Sequence, residues 1–591
     1  MKRSQIDDKY KWKLSDMVKD EAEFETLFDD VVNALPKLEA YKGKLGDRDS
    51  ALACLKLDAE VSRKFELIYI YSHMYRDEDA TVGAANALAA RTDGLSAKYG
   101  AAVSYINSEL GALEALVLDG YIADAAFGDF DFMLKEVVRQ KAHILSDREE
   151  KLLAMSAEAL HTPYNVAHAL FDVDMKFKPV TKDGKKVELN NGTYGELLGD
   201  PDRRVRKAAF DNIYDGYISH IQTIAANYAG NVKADNFYAQ ARGYGDCLEK
   251  SLFGDGVPTG VYTNLINAVN ANLAPLHRYI ALRKKLLGVK EQHMYDLYVP
   301  IVADAEMKLP YEKACETVKT ALAPMGEEYV GLLNKAMTEG WIDVMQCDGK
   351  RGGAYSWSSY SAHPYVLLNY APTTEDIFTL AHELGHCLHS YYSQHGQPYS
   401  KWDYQIFVAE VASICNETLL DDYLMKNVKD TEIKKYLLSL RLNRFRTTLF
   451  RQAMFAEFEY NAHKMDLDGT PLTVDNLCGM YLDLNKKYYG KDVVSDDRIA
   501  YEWARIPHFY KAFYVYKYST GMTAATSIAH NILKRPEYVD IYKTKFLSAG
   551  GHKSPYEILC DAEVDLATVK PYDDAFAFFT AALDELEKLC R

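Results

Sequence analysis

The segment AHELGHCLHS, residues 381–390, places three histidines and one glutamate within eight positions, from His382 to His389. It follows Thr373-Thr374-Glu375-Asp376, a capping-box pattern that predicts a helix beginning near residue 374. At 100° per residue, the three histidines fall within about 60° of one another. The opposite face carries the apolar residues Ile377, Leu380, Leu384, Cys387, Leu388 and Tyr391. The segment therefore predicts an amphipathic helix with metal-binding side chains on its polar face, and Cys387 is expected to be a structural thiol.

The central five residues, His382-Glu383-Leu384-Gly385-His386, have the spacing His-Glu-x-x-His. Histidines four positions apart can bind one ion from successive helical turns, and the glutamate between them reaches a water on that ion. The pattern indicates a zinc hydrolase. The alternative is a polar helix face that uses histidines without binding a metal.

A catalytic zinc needs a third protein ligand and an open fourth position. His389 is close in sequence, but one helix cannot easily aim residues 382, 386 and 389 tetrahedrally at one ion. Glu410 is 24 positions after His386, in QIFVAEVASICNETLL, residues 405–420, which is apolar nearly all round and predicts a buried helix. A buried carboxylate without a partner costs several kcal/mol, so Glu410 needs a cation or strong donors.

These considerations favour His382, His386 and Glu410 as the zinc ligands. Glu417 lies seven residues after Glu410 on the same helix face, where it can accept a hydrogen bond from a ligand histidine's second nitrogen. Salt bridges from both glutamates to lysine or arginine are the alternative. The metzincin pattern is excluded, because position 389 is histidine where glycine belongs and position 392 is tyrosine where histidine belongs.

The composition of the whole chain is that of a globular protein. It has 591 residues, 48% hydrophobic and 26% charged, and a formal net charge of −16. That charge argues against nucleic acid or an anionic membrane as partner. No run of about 18 apolar residues predicts a membrane span, and the N-terminus has no apolar run of a secretory signal. The nine cysteines form no Cys-x-x-Cys pair, so we expect a cytoplasmic protein with reduced thiols.

Most of the chain has the apolar spacing of helices, clearest at 50–115, 203–240, 260–287 and 431–464. A β-hairpin is predicted near 177–189, around an Asp183-Gly184 turn. Asp200-Pro201 marks a break, which predicts an N-terminal helical domain over 1–202 and a catalytic domain over 203–591. The aromatic and β-branched stretch 354–372 predicts a strand or edge strand, which could pair with a substrate backbone or be an ordinary core hairpin.

Beyond the metal motif, several segments make a family resemblance specific along nearly the whole chain. The sequence resembles the thimet-oligopeptidase-type zinc metallopeptidases, and most of all the oligoendopeptidase F family. The segments that carry the resemblance are KYKWKLSDM (9–17), EQHMYDLYVP (291–300), PYVLLNY (364–370), FTLAHELGHCLHS (378–390), AEVAS (409–413), RIPHFYKAFYVYKYSTG (505–521) and FLSAGGHKSPYEIL (546–559).

The resemblance implies a mainly α, two-lobed helical metallopeptidase with a deep central channel and a small β-sheet beside the zinc helix. It implies one zinc ion per chain on His382, His386 and Glu410, with Glu383 as the catalytic carboxylate. The implied activity is hydrolysis of internal bonds in short oligopeptides by attack of a metal-bound water. No nucleic acid or membrane is expected as partner, and the sequence leaves the oligomeric state open.

By the same resemblance, His508 and one or more tyrosines lie near the scissile carbonyl. If 505–521 were helical, Tyr510, Tyr514 and Tyr518 would share a face, and Tyr510 and Tyr514 are the favoured pair. An aromatic core helix is the alternative for these rings. For the whole chain, the alternative functions are a peptidyl-dipeptidase with the same zinc chemistry and an inactive helical scaffold that binds peptides.

Overall fold

The structure is a computed structural model, and it describes residues 1–302, 305 and 307–591. The fold is mainly α. The α-helices, in chain order, are α1 Glu21–Glu39, α2 Arg48–Glu78, α3 Gly83–Val103, α4 Tyr105–Ala112, α5 Ala115–Ala123, α6 Asp131–Gln140, α7 Asp147–Leu160, α8 Thr162–His168, α9 Asn191–Leu198, α10 Arg203–Ser219, α11 Ile221–Ala241, α12 Cys247–Gly254, α13 Thr259–Ala271, α14 Leu273–Leu287, α15 Tyr311–Ala321, α16 Glu327–Thr338, α17 Thr374–Gly396, α18 Ile406–Asn427, α19 Thr431–Arg444, α20 Arg451–Leu467, α21 Val474–Tyr489, α22 Tyr516–Lys534, α23 Tyr538–Ile541, α24 Pro555–Asp561 and α25 Lys570–Leu589.

Shorter helical segments and five strands complete the described secondary structure. The 3₁₀-helices are Arg3–Gln5, Asp8–Tyr10, Leu14–Asp16, Ala125–Phe130, Lys141–His143, Met294–Asp296, Ala323–Met325, Tyr399–Lys401, Asp497–Arg505 and Pro507–Tyr510. The π-helices are Ala169–Asp174, Phe445–Phe450 and Tyr542–Leu547. The strands are β1 Val180–Lys182, β2 Lys185–Val187, β3 Ile342–Asp343, β4 Tyr355–Trp357 and β5 Tyr365–Leu367.

The helices predicted from apolar spacing are present, and their ends have clear chemical causes. Helix α10 begins directly after Asp202, whose side chain accepts a hydrogen bond from the Arg204 amide. Helix α14 ends at Gly288, which adopts a left-handed φ of 65°. The predicted stretch 50–115 is divided into three helices, α2 to α4.

Both predicted β regions are also confirmed. Strands β1 and β2 pair antiparallel across the Asp183-Gly184 turn, with Val180 opposite Val187. Strands β3, β5 and β4 form a second sheet in that order, so β4 is an edge strand. The β4–β5 pair is antiparallel, with Ser356 opposite Val366, and the β3–β5 pair is parallel.

The described chain divides into two compact units, each made of three segments. Unit 1 comprises Met1–Ala142, Met307–Leu424 and Ile528–Glu563, and unit 2 comprises the remaining segments, His143–Glu306, Met425–Ser527 and Val564–Arg591. Segments far apart in sequence thus share one core. The predicted domain boundary between residues 202 and 203 stays a prediction.

Within unit 1, helix α17 is held on several sides. It packs against α15, α16 and both strands of the β4–β5 pair. On another side, Gly385 brings α17 so close to α18 that a Cβ atom there would lie 2.5 Å from Ser413 Cα. This backbone contact fixes two helices side by side. Among the described residues, no helix is long and apolar enough to cross a membrane.

Candidate metal centre

Three side chains from α17 and α18 meet at one point in unit 1. The Nε2 atoms of His382 and His386 are 3.2 Å apart. Glu410 Oε2 lies 3.4 Å from His382 Nε2 and 3.6 Å from His386 Nε2. Of the residues that the structure describes, these are the one group of three or more His, Cys, Asp or Glu side chains whose potential ligand atoms lie within 4.8 Å of one another.

The distances between the three ligand atoms can be compared with those between the ligand atoms of a bound zinc ion. Zinc–ligand bonds of about 2.0–2.2 Å at tetrahedral angles place ligand atoms about 3.3–3.6 Å apart. The three measured separations lie at or next to that range. Two imidazole nitrogens and one carboxylate oxygen are also a donor set that suits zinc. The residues present therefore fit a zinc ion.

Each histidine also has a partner outside the cluster. His382 Nδ1 lies 2.6 Å from Glu417 Oε1, the contact that the spacing of Glu417 predicts. His386 is hydrogen-bonded to the backbone of Ala409. Such contacts fix the tautomer and the ring orientation, so that Nε2 of each ring points at the cluster.

Burial and neighbouring charges act differently on the two rings. Burial works to lower the pKa of His382, but the carboxylates of Glu417, Glu383 and Glu410 together outweigh burial, and the pKa is raised. Burial, together with the nearby His382, lowers the pKa of His386 to about 3. His386 is therefore a neutral imidazole at neutral pH, which is the form that binds metals.

Glu383 lies beside the cluster. Its side chain is buried, and its Oε2 has no hydrogen-bond partner in the structure. Burial raises the pKa of Glu383 to about 7; the carboxylates of Glu410 and Glu417 add to this rise and His382 opposes it. A carboxyl group with such a pKa can both accept and donate a proton near neutral pH.

The helical wheel drawn from the sequence agrees in part with the burial of α17: five of the six residues on its apolar face are buried and Tyr391 is half-buried, but His389 on the opposite face is also buried. Cys387 is fully buried with its apolar neighbours, as expected for a structural thiol. His389 lies away from the cluster: its ring is 1% exposed and stacks on Tyr404 at 3.7 Å between centroids. Glu410 is less buried than predicted, since its side chain is 43% exposed. The reason is that it faces a cavity rather than the core of unit 1.

That cavity has a volume of about 600 Å³ and contains all of the cluster. Its lining includes the edge strand β4 with its flanking residues, and Glu383. Two further acidic residues line it, Glu66 and Asp403, and burial raises the pKa of both. Sequence reasoning missed them, because Glu66 belongs to a helix about 320 residues from the motif and no local pattern marks either residue.

The segment 505–521 lies in unit 2 and differs from the single helix expected there. A 3₁₀-helix ends at Tyr510, Phe513 adopts a left-handed φ of 54°, and α22 begins only at Tyr516. The Phe513 amide donates a hydrogen bond of 2.7 Å to Glu459 Oε1, which holds this unusual conformation. The prediction that Tyr510, Tyr514 and Tyr518 share one helix face is therefore wrong.

Because the helix is interrupted, the predicted histidine and tyrosines lie in two different environments. Tyr518 Oη lies 3.3 Å from His508 Nε2, and the Tyr514 ring stacks on the His508 ring at 5.8 Å. Tyr510 is nearly buried, and its hydroxyl accepts a hydrogen bond of 3.3 Å from Asn227. The structure thus brings His508 together with Tyr514 and Tyr518, whereas Tyr510 lies in separate surroundings.

Comparison with known proteins extends over almost the whole chain. Residues 197–578 match the model of peptidase family M3, and residues 109–177 match that of the oligopeptidase F N-terminal region. Oligopeptidase PepF of Bacillus subtilis is 39% identical, over 99% of this chain and 88% of its own length.

Two solved structures are similar in fold as well. A Chlamydophila abortus protein has a TM-score of 0.95 at 33% identity, covering 100% of this chain and 99% of the other. Oligoendopeptidase-F from Enterococcus faecium has a TM-score of 0.73 at 34% identity, covering 96% of this chain and 99% of the other. With the site geometry above, these matches show that the chain is a metalloendopeptidase that belongs to peptidase family M3, among the oligoendopeptidase F proteins.

Proposed function

We propose that this enzyme hydrolyses internal bonds of short oligopeptides with the help of one zinc ion. The observation that carries the proposal is the convergence of His382 Nε2, His386 Nε2 and Glu410 Oε2 within 3.2–3.6 Å of one another. These three side chains would hold the ion. When bound, zinc would supply a Lewis acid that polarises a carbonyl group and lowers the pKa of a coordinated water.

Glu383 would move the proton in this reaction. Its side chain lines the cavity, and a pKa of about 7 lets the same carboxyl group act first as base and then as acid. We infer that Glu383 takes a proton from the attacking water and delivers it to the nitrogen of the leaving amine.

The edge strand β4 would align the substrate. Its residues Tyr355–Trp357 line the same cavity as Glu383, and one edge of β4 is not paired within the sheet. An extended peptide can add to such an edge through backbone hydrogen bonds, which recognise any sequence. Relatives named oligopeptidase and oligoendopeptidase support short peptides as the substrate class.

We infer that His508 assists by donating a hydrogen bond to the oxygen of the scissile carbonyl, as the family resemblance implies. Burial, Lys511 and Arg451 lower the pKa of His508, which favours a neutral ring with one N–H to donate. Tyr514 and Tyr518 are better placed to assist than Tyr510, because both contact His508. The roles of Tyr510 and Tyr514 in catalysis remain predictions.

The substitution Glu383→Gln tests the proposal. It keeps the size of the side chain and removes the group that carries the proton, so we expect the turnover of a fluorogenic oligopeptide to fall about 100- to 10,000-fold. The zinc content of the variant should equal that of the wild type. Glu375→Gln, on the exposed side of the same helix, is the matched control. Turnover near the wild-type rate in Glu383→Gln would rule out Glu383 as the base.

A further inference from the structure

A second cavity, of about 450 Å³, lies entirely within unit 2. It includes His508, but it also contains two arginines, Arg451 and Arg505, that the proposed chemistry does not use. Apart from these groups its walls are mainly aromatic and aliphatic, with Phe171, Tyr194, Leu198, Tyr217, Tyr298 and Phe455. A volume of this size is within the range of ligand pockets, and it combines an apolar wall with a few charged groups.

The positive charge of this cavity exceeds its negative charge. One buried carboxylate, Glu502, lies 2.5 Å from Arg451 Nη2 and 3.5 Å from Arg505 Nη1. Its second oxygen accepts a hydrogen bond from the Tyr481 hydroxyl at 2.5 Å. Burial works to raise the pKa of Glu502, but the two arginines outweigh burial and the pKa is lowered, so Glu502 is ionised. One negative charge therefore faces two guanidinium groups.

A third arginine adds to the imbalance. The Arg446 side chain is fully buried, and its guanidinium lies 4.7 Å from the centre of the Tyr298 ring. It donates to the neutral side chain of Asn443, and its Nη1 has no partner in the structure. Burial alone would raise the pKa of Tyr298, but Arg451 and Arg446 outweigh burial and lower it.

Asp172, the carboxylate that lines the cavity, does not cancel this charge. Asp172 lies 2.9 Å from Nδ1 of His168, and its side chain is 64% exposed. A solvated carboxylate next to a histidine interacts only weakly with charges farther inside.

Both guanidinium groups are fixed by stacking on aromatic rings, and their contacts with Glu502 do not use all of their N–H donors. Arg451 stacks on Phe455 at 4.4 Å and Arg505 stacks on Tyr194 at 4.8 Å, measured to the ring centres. Each guanidinium has five N–H donors, and Nε of Arg505 has no partner. A planar donor group fixed by stacking binds a carboxylate with little loss of freedom.

We propose that this cavity binds a carboxylate of the peptide substrate, with Arg451 and Arg505 as the donors and the aromatic wall against the neighbouring part of the peptide. The inference rests on the proposed peptidase function and adds a specificity subsite to it. The carboxylate can be the C-terminus of the peptide or an aspartate or glutamate side chain. His508, which the proposed function already assigns to the substrate, lines the same cavity, and the subsite is assigned to the substrate on that basis.

The wild-type enzyme can test the subsite with four versions of one peptide. Two differ only in a free or amidated C-terminus, and two differ only in glutamate or glutamine at one internal position. In at least one pair, we expect the carboxylate version to have a kcat/KM about tenfold higher or more, mainly through a lower KM. The pair that shows the difference identifies the source of the carboxylate. Equal values within both pairs would overturn the proposal.

The variant Arg505→Gln then assigns the effect to the cavity. Glu502 keeps Arg451 and Tyr481 as partners in this variant, and the ratio between the paired peptides should fall towards one. Arg505→Lys should retain part of the ratio. Arg204→Gln, a change at an arginine that is 91% exposed in the same unit, is the control. A purely structural role for Arg505 would slow both peptides equally and leave the ratio unchanged, which would refute the assignment.

Failure of this proposal is distinguishable from failure of the proposed function. An enzyme that cuts all four peptides equally well, and only with zinc, lacks the subsite but keeps the function. An enzyme that cuts none of the peptides, or cuts them without zinc, refutes the function itself. If Arg505→Gln does not fold, the comparison of peptides on the wild type still decides whether a carboxylate is recognised.

Discussion

At the scale of single residues, two carboxylates on either side of His382 have different surroundings. Glu417 contacts Nδ1 of His382 at 2.6 Å, whereas Glu383 lines the cavity and has a backbone hydrogen bond from Ser356. The first orients a ligand ring, and the second is available to a substrate or a water. Residue type alone does not distinguish these roles, since both are glutamates in helices close to the same histidine.

The contact of Glu417 predicts an effect on zinc affinity. Glu417→Gln keeps a hydrogen-bond acceptor but removes the charge that makes the His382 ring a stronger ligand. We expect zinc affinity, measured by competition with a chromogenic chelator, to fall about 10- to 100-fold. With zinc in excess, most of the activity should return. If affinity matched that of the wild type and of Glu375→Gln, Glu417 would have no role in holding the metal.

At the scale of elements, the site depends on how closely α17 and α18 approach. His382 and His386 lie on α17 and Glu410 on α18, so the distance between the helices sets the distance between ligands. Gly385 permits the contact, since any Cβ there would meet the α18 backbone at 2.5 Å from Ser413 Cα and 2.8 Å from the Ala412 carbonyl oxygen.

Gly385→Ala should therefore weaken both the packing and the metal site. The new methyl group meets backbone, which cannot move aside as a side chain can, so we expect a loss of about 1–3 kcal/mol in stability. The thermal unfolding midpoint and zinc affinity should both fall. Gly94→Ala is the control, because Gly94 is an exposed helical position with nothing within 4 Å of the added atom. Unchanged midpoint and affinity in Gly385→Ala would refute the close-contact explanation.

Much of this local structure could be predicted from the sequence, because its causes are local. The cap at Thr373 and the phase of the apolar residues predict α17 and its polar face. The helix and its cap are confirmed, but the polar face is confirmed only in part, because Glu383 and His389 are buried. Glu410 is preferred to His389 because three side chains of one helix, at 382, 386 and 389, cannot easily surround one ion tetrahedrally. The cluster of His382, His386 and Glu410 agrees with that choice.

The parts that could not be predicted depend on contacts between distant residues. The break at Phe513 is stabilised by Glu459, 54 residues earlier, so the residues of 505–521 alone do not show that a continuous helix is interrupted there. The pair of Glu66 and Asp403 in the cavity likewise requires α2 to fold against a segment far along the chain. Contacts between residues this far apart in sequence can be identified only once the three-dimensional structure is known.

At the scale of the whole molecule, the proposed recognition through the edge strand β4 requires an extended substrate. In a folded protein, few segments can break their backbone hydrogen bonds and enter a cavity of about 600 Å³ as an extended chain. We expect a decapeptide to be cut readily and the same sequence, placed within a stably folded domain, to resist cleavage. Mass spectrometry of timed digests measures both, and unfolding the domain by reduction or mutation should restore cleavage. Equal rates for the peptide and the folded domain would contradict this mode of recognition.

The measurement that tests the central claim most directly is an anomalous difference map, recorded at the zinc absorption edge, from crystals of the active enzyme. We predict a single strong peak per chain, bonded to Nε2 of His382, Nε2 of His386 and the carboxylate of Glu410. The peak should disappear from crystals of a His386→Ala variant, which should also be inactive. A fully active enzyme with no peak at this cluster, or with its zinc bound elsewhere, would contradict the account.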